Sequence, residues 1–290
     1  MNPYIQSLRL RTLPLSVAGI VLGSGLAWRE GVFSLSSAGR GVVVFILAAL
    51  TAMSLQILSN LSNELGDATK GTDADQHGRA AYGLQSGKIS IRQMQGMIRI
   101  FIGVCAILGI ALIYSAFDSL FSLQSLGFIG LGLLAIIGAM TYTLGKHSYG
   151  YMGLGDLGVM IFFGLLSTIG GYYLQTQQLD WGIFWSGVAI GMPCVGVLNL
   201  NNIRDMENDR VHGKRTFASW LGPVGARIYH YLLLLLCLLI FILQGHYRVG
   251  LIVPVWGWHI WYVGTHTERL DRQMPVLMFS TLAVALFALI

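Results

Sequence analysis

The chain has 290 residues, of which 54% are hydrophobic and only 11% are Asp, Glu, Lys or Arg, against about 25% charged in ordinary soluble domains. That is too little charge to cover a water-soluble surface, so composition excludes a soluble globular enzyme and leaves an integral membrane protein. The formal charge of +5 does not point to nucleic acid, because the basic residues are placed as membrane topology places them.

In chain order, uncharged windows run over 12–28, 41–63, 100–117, 119–145, 157–179, 181–203, 228–247, 249–267 and 273–290. Each is about the length that a helix rising 1.5 Å per residue needs to cross ~30 Å of hydrocarbon. The runs are continuous and do not alternate, which excludes a β-barrel. The expected fold is an all-α bundle of nine transmembrane helices around a central cavity. No cleavable leader is expected, since Arg9 and Arg11 precede the first window and no small-residue cleavage site follows it. Cys105, Cys194 and Cys237 all lie in apolar runs, so neither a disulfide framework nor a zinc site is expected.

With the N-terminus in the cytoplasm, only Arg29, Arg40 and Arg248 of the 18 Lys and Arg fall on the outer side. So one-sided a distribution follows the positive-inside rule and supports the helix count. Two long segments, about 64–99 and 204–227, then face the cytoplasm. No linker or low-complexity tract divides residues 1–290, which read as one domain. The 37 glycines are spread through apolar runs, where small residues let helices approach closely.

Each long segment opens on an acidic cluster as a helix leaves the apolar layer. The first runs from Asn63 and Glu64 through Asp67 and Lys70 to Asp73; the second contains Asn201, Arg204, Asp205 and Asp209. Residues four apart share a helix face, about 6 Å apart along the axis. Asn63 therefore aligns with Asp67, and Asn201 with Asp205 and Asp209. A single Asp-x3-Asp near a helix end is ordinarily solvated surface. Two such clusters at matched depth instead suggest a cavity lined by oxygen ligands, because ionisable groups at membrane helices are costly. Magnesium prefers a few carboxylates, retained waters and substrate phosphates to an all-protein cage. Lys70, Arg79, Arg204, Lys214 and Arg215 are nearby in sequence to hold the remaining phosphate charge.

These clusters resemble the paired signature of the UbiA superfamily of intramembrane prenyltransferases, and more narrowly its 1,4-dihydroxy-2-naphthoate polyprenyltransferases of menaquinone synthesis. The resemblance rests on Arg9-Leu-Arg11-Thr-Leu-Pro14, Asn63-x3-Asp67-x3-Gly71-x-Asp73, Tyr142-Thr143 with Tyr149-Gly-Tyr151-Met-Gly-Leu-Gly-Asp156, and Asn201-Asn-Ile-Arg-Asp205-x3-Asp209-x3-Gly213-Lys-Arg-Thr216. It runs from residue 9 to about 222. Glu64 replaces the aspartate common in the superfamily, and Gly71 stands where a third aspartate often lies, with the acid displaced to Asp73, as in the naphthoate branch.

The resemblance implies Mg2+-dependent transfer of a polyprenyl group from polyprenyl diphosphate to 1,4-dihydroxy-2-naphthoate in the bacterial inner membrane, releasing pyrophosphate and carbon dioxide. It assigns Asn63, Asp67, Asp73, Asn201, Asp205 and Asp209 to metal, with Glu64 left to capping or support. Lys70, Arg79 and Lys214 are assigned to the diphosphate. Tyr142 and Lys146 match a family Tyr-x3-Lys pair near the cation, and interfacial anchoring explains them too. Tyr149 and Asp156 are candidates to orient the ring or accept a proton, Asp156 being equally a helix cap. Arg11 is a candidate for the naphthoate carboxylate or a plain positive-inside residue. The alternatives are another aromatic acceptor, 4-hydroxybenzoate or homogentisate, and a transporter of an anionic metabolite. Transport is disfavoured because the acids sit at helix ends and no inverted repeat is evident.

Overall fold

The structure, a computed structural model, describes residues 2–31, 38–71, 82–266 and 270–290. A short helix Pro3–Leu8 (α1) and a 3-10 turn Leu10–Thr12 lead into Leu13–Glu30 (α2). Then come Ala38–Lys70 (α3), Ile91–Phe117 (α4) and Leu123–Thr141 (α5). Gly155–Val159 (α6) continues through a π-helical segment, Met160–Leu166, into Ser167–Thr176 (α7). Trp181–Val211 (α8) and Phe217–Leu243 (α9) follow; a 3-10 turn Tyr247–Ile252 enters Val253–Thr265 (α10), and Leu270–Arg272 enters Gln273–Phe287 (α11).

Helix starts follow local chemistry. Ser90 and Gln93 form a reciprocal capping box at α4, Thr216 and Ser219 do so at α9, and Asp180 accepts from Gly182 N at 2.7 Å to open α8. Once inside hydrocarbon the backbone must satisfy its own hydrogen bonds, which keeps these apolar runs helical.

Eight helical stretches among the described residues are long and apolar enough to cross a bilayer, and they occupy eight of the nine expected windows. The window at 249–267 differs: the α-helical part is only the 13 residues Val253–Thr265, preceded by 3-10 turns. Pro254 near its start explains the break, because proline cannot donate to an earlier carbonyl and favours the first turn. The long segments are also shorter than expected. The charged residues that end the uncharged windows, Glu64 and Arg204, do not end the helices: α3 runs on to Lys70 and α8 to Val211, so both acidic clusters begin on helix.

A core of Leu22, Ile190, Leu200, Leu234, Phe241, Trp256 and Leu277 joins α2, α8, α9, α10 and α11, and a second, around Leu58, Leu61 and Met94, joins α3 to α4. Ile107 (70% exposed) and Leu123 (85%) turn outward on α4 and α5, the arrangement expected where lipid is the solvent. All three cysteines are free and buried. At one crossing, between α2 and α7, the backbones nearly touch: a Cβ on Gly23 would lie 2.1 Å from the Thr168 carbonyl oxygen.

Gly23→Ala is therefore expected to force α2 from α7 and to cost about 1–3 kcal/mol, read as a lowered melting temperature in detergent. Gly103→Ala on α4, where nothing lies within 4 Å of the added carbon, is expected to be neutral or stabilising by up to about 1 kcal/mol.

Candidate active site

The ends of α3 and α8 converge. Asn63 and Asp67 from the first, and Asn201, Arg204, Asp205 and Asp209 from the second, line one cavity of about 410 Å3. Arg11, Tyr142, Tyr149 and Lys214 share its wall. Asp73 and Arg79 lie outside the described residues.

Each acid is held. Asp67 accepts a hydrogen bond from the Tyr151 hydroxyl at 2.8 Å. Arg204 grips Asp205 with two donors, Nε at 2.8 Å and Nη2 at 2.9 Å, and Nη2 also reaches Asn201. Lys214 Nζ lies 3.1 Å from an Asp209 oxygen, and that pair is almost fully withdrawn from solvent, at 9% and 2% side-chain exposure. Unpaired charges at such depth would cost several kcal/mol each, by rough estimate.

Tyr151 is the hub. Beyond its bond to Asp67, its ring receives the Lys70 ammonium at 3.7 Å and that of Lys214 at 5.6 Å. Its carbonyl accepts from Arg215 N at 3.1 Å, and Met152 forms a parallel bridge with Arg215. Lys70 also donates to the Thr143 carbonyl at 2.8 Å and to Ser148. The Thr143 hydroxyl contacts Asn63 Oδ1 at 3.0 Å. Gly66 permits this approach, since a Cβ there would stand 2.7 Å from the Thr143 side chain. The segment between α5 and α6 thus straps the two acidic helix ends together.

Other expected residues are placed differently. Lys146 is exposed and Lys70 sits over the Tyr151 ring; neither lines the cavity. Asp156 does not line it either, and its carboxylate accepts from the Tyr229 hydroxyl at 3.0 Å. Tyr149 packs edge-on against Tyr142, with centroids 5.2 Å apart, and donates to the Gly138 carbonyl. Burial pushes its phenol up to about 12, so it is a neutral donor at physiological pH. Glu64 is fully buried and accepts from Leu84 N at 2.7 Å; it pins the segment before α4 to α3. Tyr151 and Thr143 were visible in the sequence only as parts of a motif; Tyr82, which also lines the cavity, carried no signal.

Among the described residues no three of His, Cys, Asp or Glu close into a metal cage. The cavity instead offers carboxylate and amide oxygens from two helices, with cations beside them. That donor set fits magnesium, which completes its octahedron with waters and phosphate oxygens. A smaller apolar chamber of about 150 Å3 shares Ala52, Leu55, Ala135, Phe162, Leu166 and Ser167 with the polar cavity and extends among Ile20, Leu112, Phe128 and Leu174.

Known proteins fit this architecture. A 1,4-dihydroxy-2-naphthoate octaprenyltransferase of Escherichia coli K12 is 41% identical over 88% of this chain and 79% of its own length. The Haemophilus influenzae protein of the same name is 37% identical over 100% and 95%. Among solved structures, an apo UbiA homolog from Aeropyrum pernix K1 superposes with TM-score 0.64 at 18% identity, covering 96% of this chain and 94% of that one. A UbiA homolog from Archaeoglobus fulgidus, bound to GPP and Mg2+, gives 0.61 at 15% identity over 99% of both chains. The model of the UbiA prenyltransferase family matches residues 16–288, and the chain belongs to that family: it is a membrane-embedded prenyltransferase.

Proposed function

We propose that the chain transfers a polyprenyl group from polyprenyl diphosphate to 1,4-dihydroxy-2-naphthoate, releasing pyrophosphate and carbon dioxide and giving demethylmenaquinol. The observation that carries the reading is the meeting of Asn63, Asp67, Asn201, Asp205 and Asp209 in one cavity with an apolar chamber behind it. The names of the relatives that are 41% and 37% identical supply the acceptor. Membership of a prenyltransferase family leaves no ground for the transporter reading.

Asn63, Asp67, Asn201, Asp205 and Asp209, joined by Asp73, would hold Mg2+. When bound, magnesium neutralises charge on the departing diphosphate as the allylic C–O bond breaks. Lys214 and Arg204 stand in the same wall to take diphosphate oxygens as that charge grows. Lys70 holds Tyr151, and through it Asp67, in place. The isoprene unit next to the diphosphate enters the apolar chamber, and the chamber's apolar walls keep water from the allylic cation. The ring carbon bearing the carboxylate attacks that cation, and the carboxyl group leaves as carbon dioxide. On this reading the site faces the cytoplasm across the bacterial inner membrane, the side on which the basic residues gather.

Two measurements test this. Purified protein in detergent, given Mg2+, a prenyl diphosphate and each acceptor in turn, is expected to release pyrophosphate with 1,4-dihydroxy-2-naphthoate; release only with 4-hydroxybenzoate or homogentisate would reassign the acceptor. Asp67→Ala and Asp205→Ala are each expected to abolish turnover while eluting as folded protein on size-exclusion chromatography; near-normal rates in either would remove the metal assignment. Tyr151→Phe keeps the ring under both lysines and loses only the bond to Asp67. A hydrogen bond to a charged group contributes roughly 1.5–3 kcal/mol, so turnover should fall about ten- to hundred-fold, and further in Tyr151→Leu.

A further inference from the structure

The strap that joins the two acidic helix ends has a side turned away from the cavity, and Arg215 stands on it. Its backbone N holds the Tyr151 carbonyl at 3.1 Å and it bridges to Met152, yet its side chain is exposed and does not line the cavity. It is thus set apart from Arg204 and Lys214, the cations placed for the diphosphate. Beside it, the first turn of α9 packs on the strap. A Cβ on Gly153 (φ 81°) would stand 2.4 Å from the Trp220 ring, so glycine lets the indole lie on the strap backbone. In the same turn Phe217 meets Tyr229 edge-on, with centroids 4.9 Å apart, and the Tyr229 hydroxyl donates to Asp156 at the start of α6. At Gly222 (φ 72°, ψ 175°) and Pro223 the helix breaks, so this turn leaves the axis of the spanning part of α9.

The surface formed there is apolar on one side and basic at its end. Trp220 (59% exposed), Val224 (70%) and Ile228 are exposed at four-residue steps, and the stripe continues into Leu232, Leu235 and Leu239. Met152, Leu154 and Leu157 are exposed beside it on the strap and α6. This face is therefore continuous with the lipid-facing surface of α9. Residues 142–155 and 212–227 contain Lys146, Lys214, Arg215 and Arg227 and no Asp or Glu. The acids near them are engaged, Asp209 with Lys214 and Asp156 with Tyr229; exposed Glu207 and Arg210 on α8 add one charge of each sign. Tryptophan is favoured at headgroup depth, and a cation beside it is drawn to an anionic leaflet.

We propose that Arg215 and Trp220 form a docking surface for anionic phospholipid headgroups, and that lipid held there steadies the strap and, through Tyr151, Asp67. The guanidinium meets the lipid phosphate with paired donors while the indole lies at the level of the headgroups. The route from lipid to site is short: Arg215 N to the Tyr151 carbonyl, and the Tyr151 hydroxyl to Asp67. Turnover is then set in part by the lipid around the chain.

Two measurements test the surface. The full chain in nanodiscs of phosphatidylcholine, with phosphatidylglycerol raised stepwise, is assayed for pyrophosphate release at saturating Mg2+ and substrates. Wild-type turnover is expected to rise about three- to five-fold, the effect of one cation near an anionic surface. The rise in Arg215→Gln should be less than half of that, whatever its rate in phosphatidylcholine alone, and Arg215→Lys should recover part of it. Trp220→Phe should keep more of the rise than Trp220→Ala. Native mass spectrometry of the full chain in detergent with equal amounts of the two lipids should show phosphatidylglycerol retained by the wild type and the preference lost in Arg215→Gln. A wild type indifferent to phosphatidylglycerol overturns the proposal. So does an equal rise in Arg215→Gln, which assigns the effect to the bulk charge of the leaflet. If no acceptor supports turnover, the function proposed above falls, and the mass spectra, which need no acceptor, decide the surface by themselves.

Discussion

Carboxylates stand at the ends of apolar helices here because each has been given a partner before any substrate arrives. Asp67 leans on the Tyr151 hydroxyl, Asp205 on a two-pronged arginine and Asp209 on a lysine almost as buried as itself. Without those partners, the cost of burying a charge would favour a helix end withdrawn toward water. Pairing keeps them in place. It also leaves the charges exchangeable, since a cation with a diphosphate brings both signs and can share either partner.

The same constraint explains the strap between α5 and α6. Two helices remote in sequence, α3 and α8, must present their oxygens to one point, and helix packing alone sets that separation loosely. Tyr151 bridges them, its hydroxyl on Asp67 and its carbonyl on Arg215, next to the lysine that holds Asp209. Because the two lysines approach a single aromatic ring, moving either acidic end disturbs the other. Preorganisation of this kind lets fixed charges stabilise a developing anion with little rearrangement.

What the sequence could show follows from the range of each interaction. The faces Asn63–Asp67 and Asn201–Asp205–Asp209 depend on a four-residue repeat, so they were legible, as was the apolar length of the spans. Helical continuity past the first charged residue was not, because windows bounded by charge stop where a helix can still run out toward water. Hence α3 and α8 extend to Lys70 and Val211. The partners were illegible for a different reason: Tyr151 meets Asp67 across 84 positions and Arg11 meets Tyr82 across 71, and no local pattern marks either pairing. Lys146 shows the converse. It satisfies a local Tyr-x3-Lys spacing with Tyr142, yet the chain turns after α5 at Gly145 (φ 90°) and leaves it exposed.

The short helix α10 shows how the bundle closes where apolar length runs out. Its aromatic cluster divides by face. Trp258 and Trp261 turn outward, while Trp256 is buried and donates to Ser280 at 2.8 Å. Inward, His259 Nε2 lies 2.9 Å from His230 Nε2 on α9, and His259 Nδ1 lies 2.9 Å from the Gln273 side-chain oxygen on α11. One ring must donate and the other accept at the first contact, and then the remaining nitrogen of His259 is determined. Glutamine can answer either case, because its amide offers both an oxygen and an NH2; an aspartate or glutamate would only accept and would bring a charge. The three side chains thus join α9, α10 and α11 through a neutral chain of hydrogen bonds, which is how polar groups between membrane helices hold them together without the cost of a buried ion.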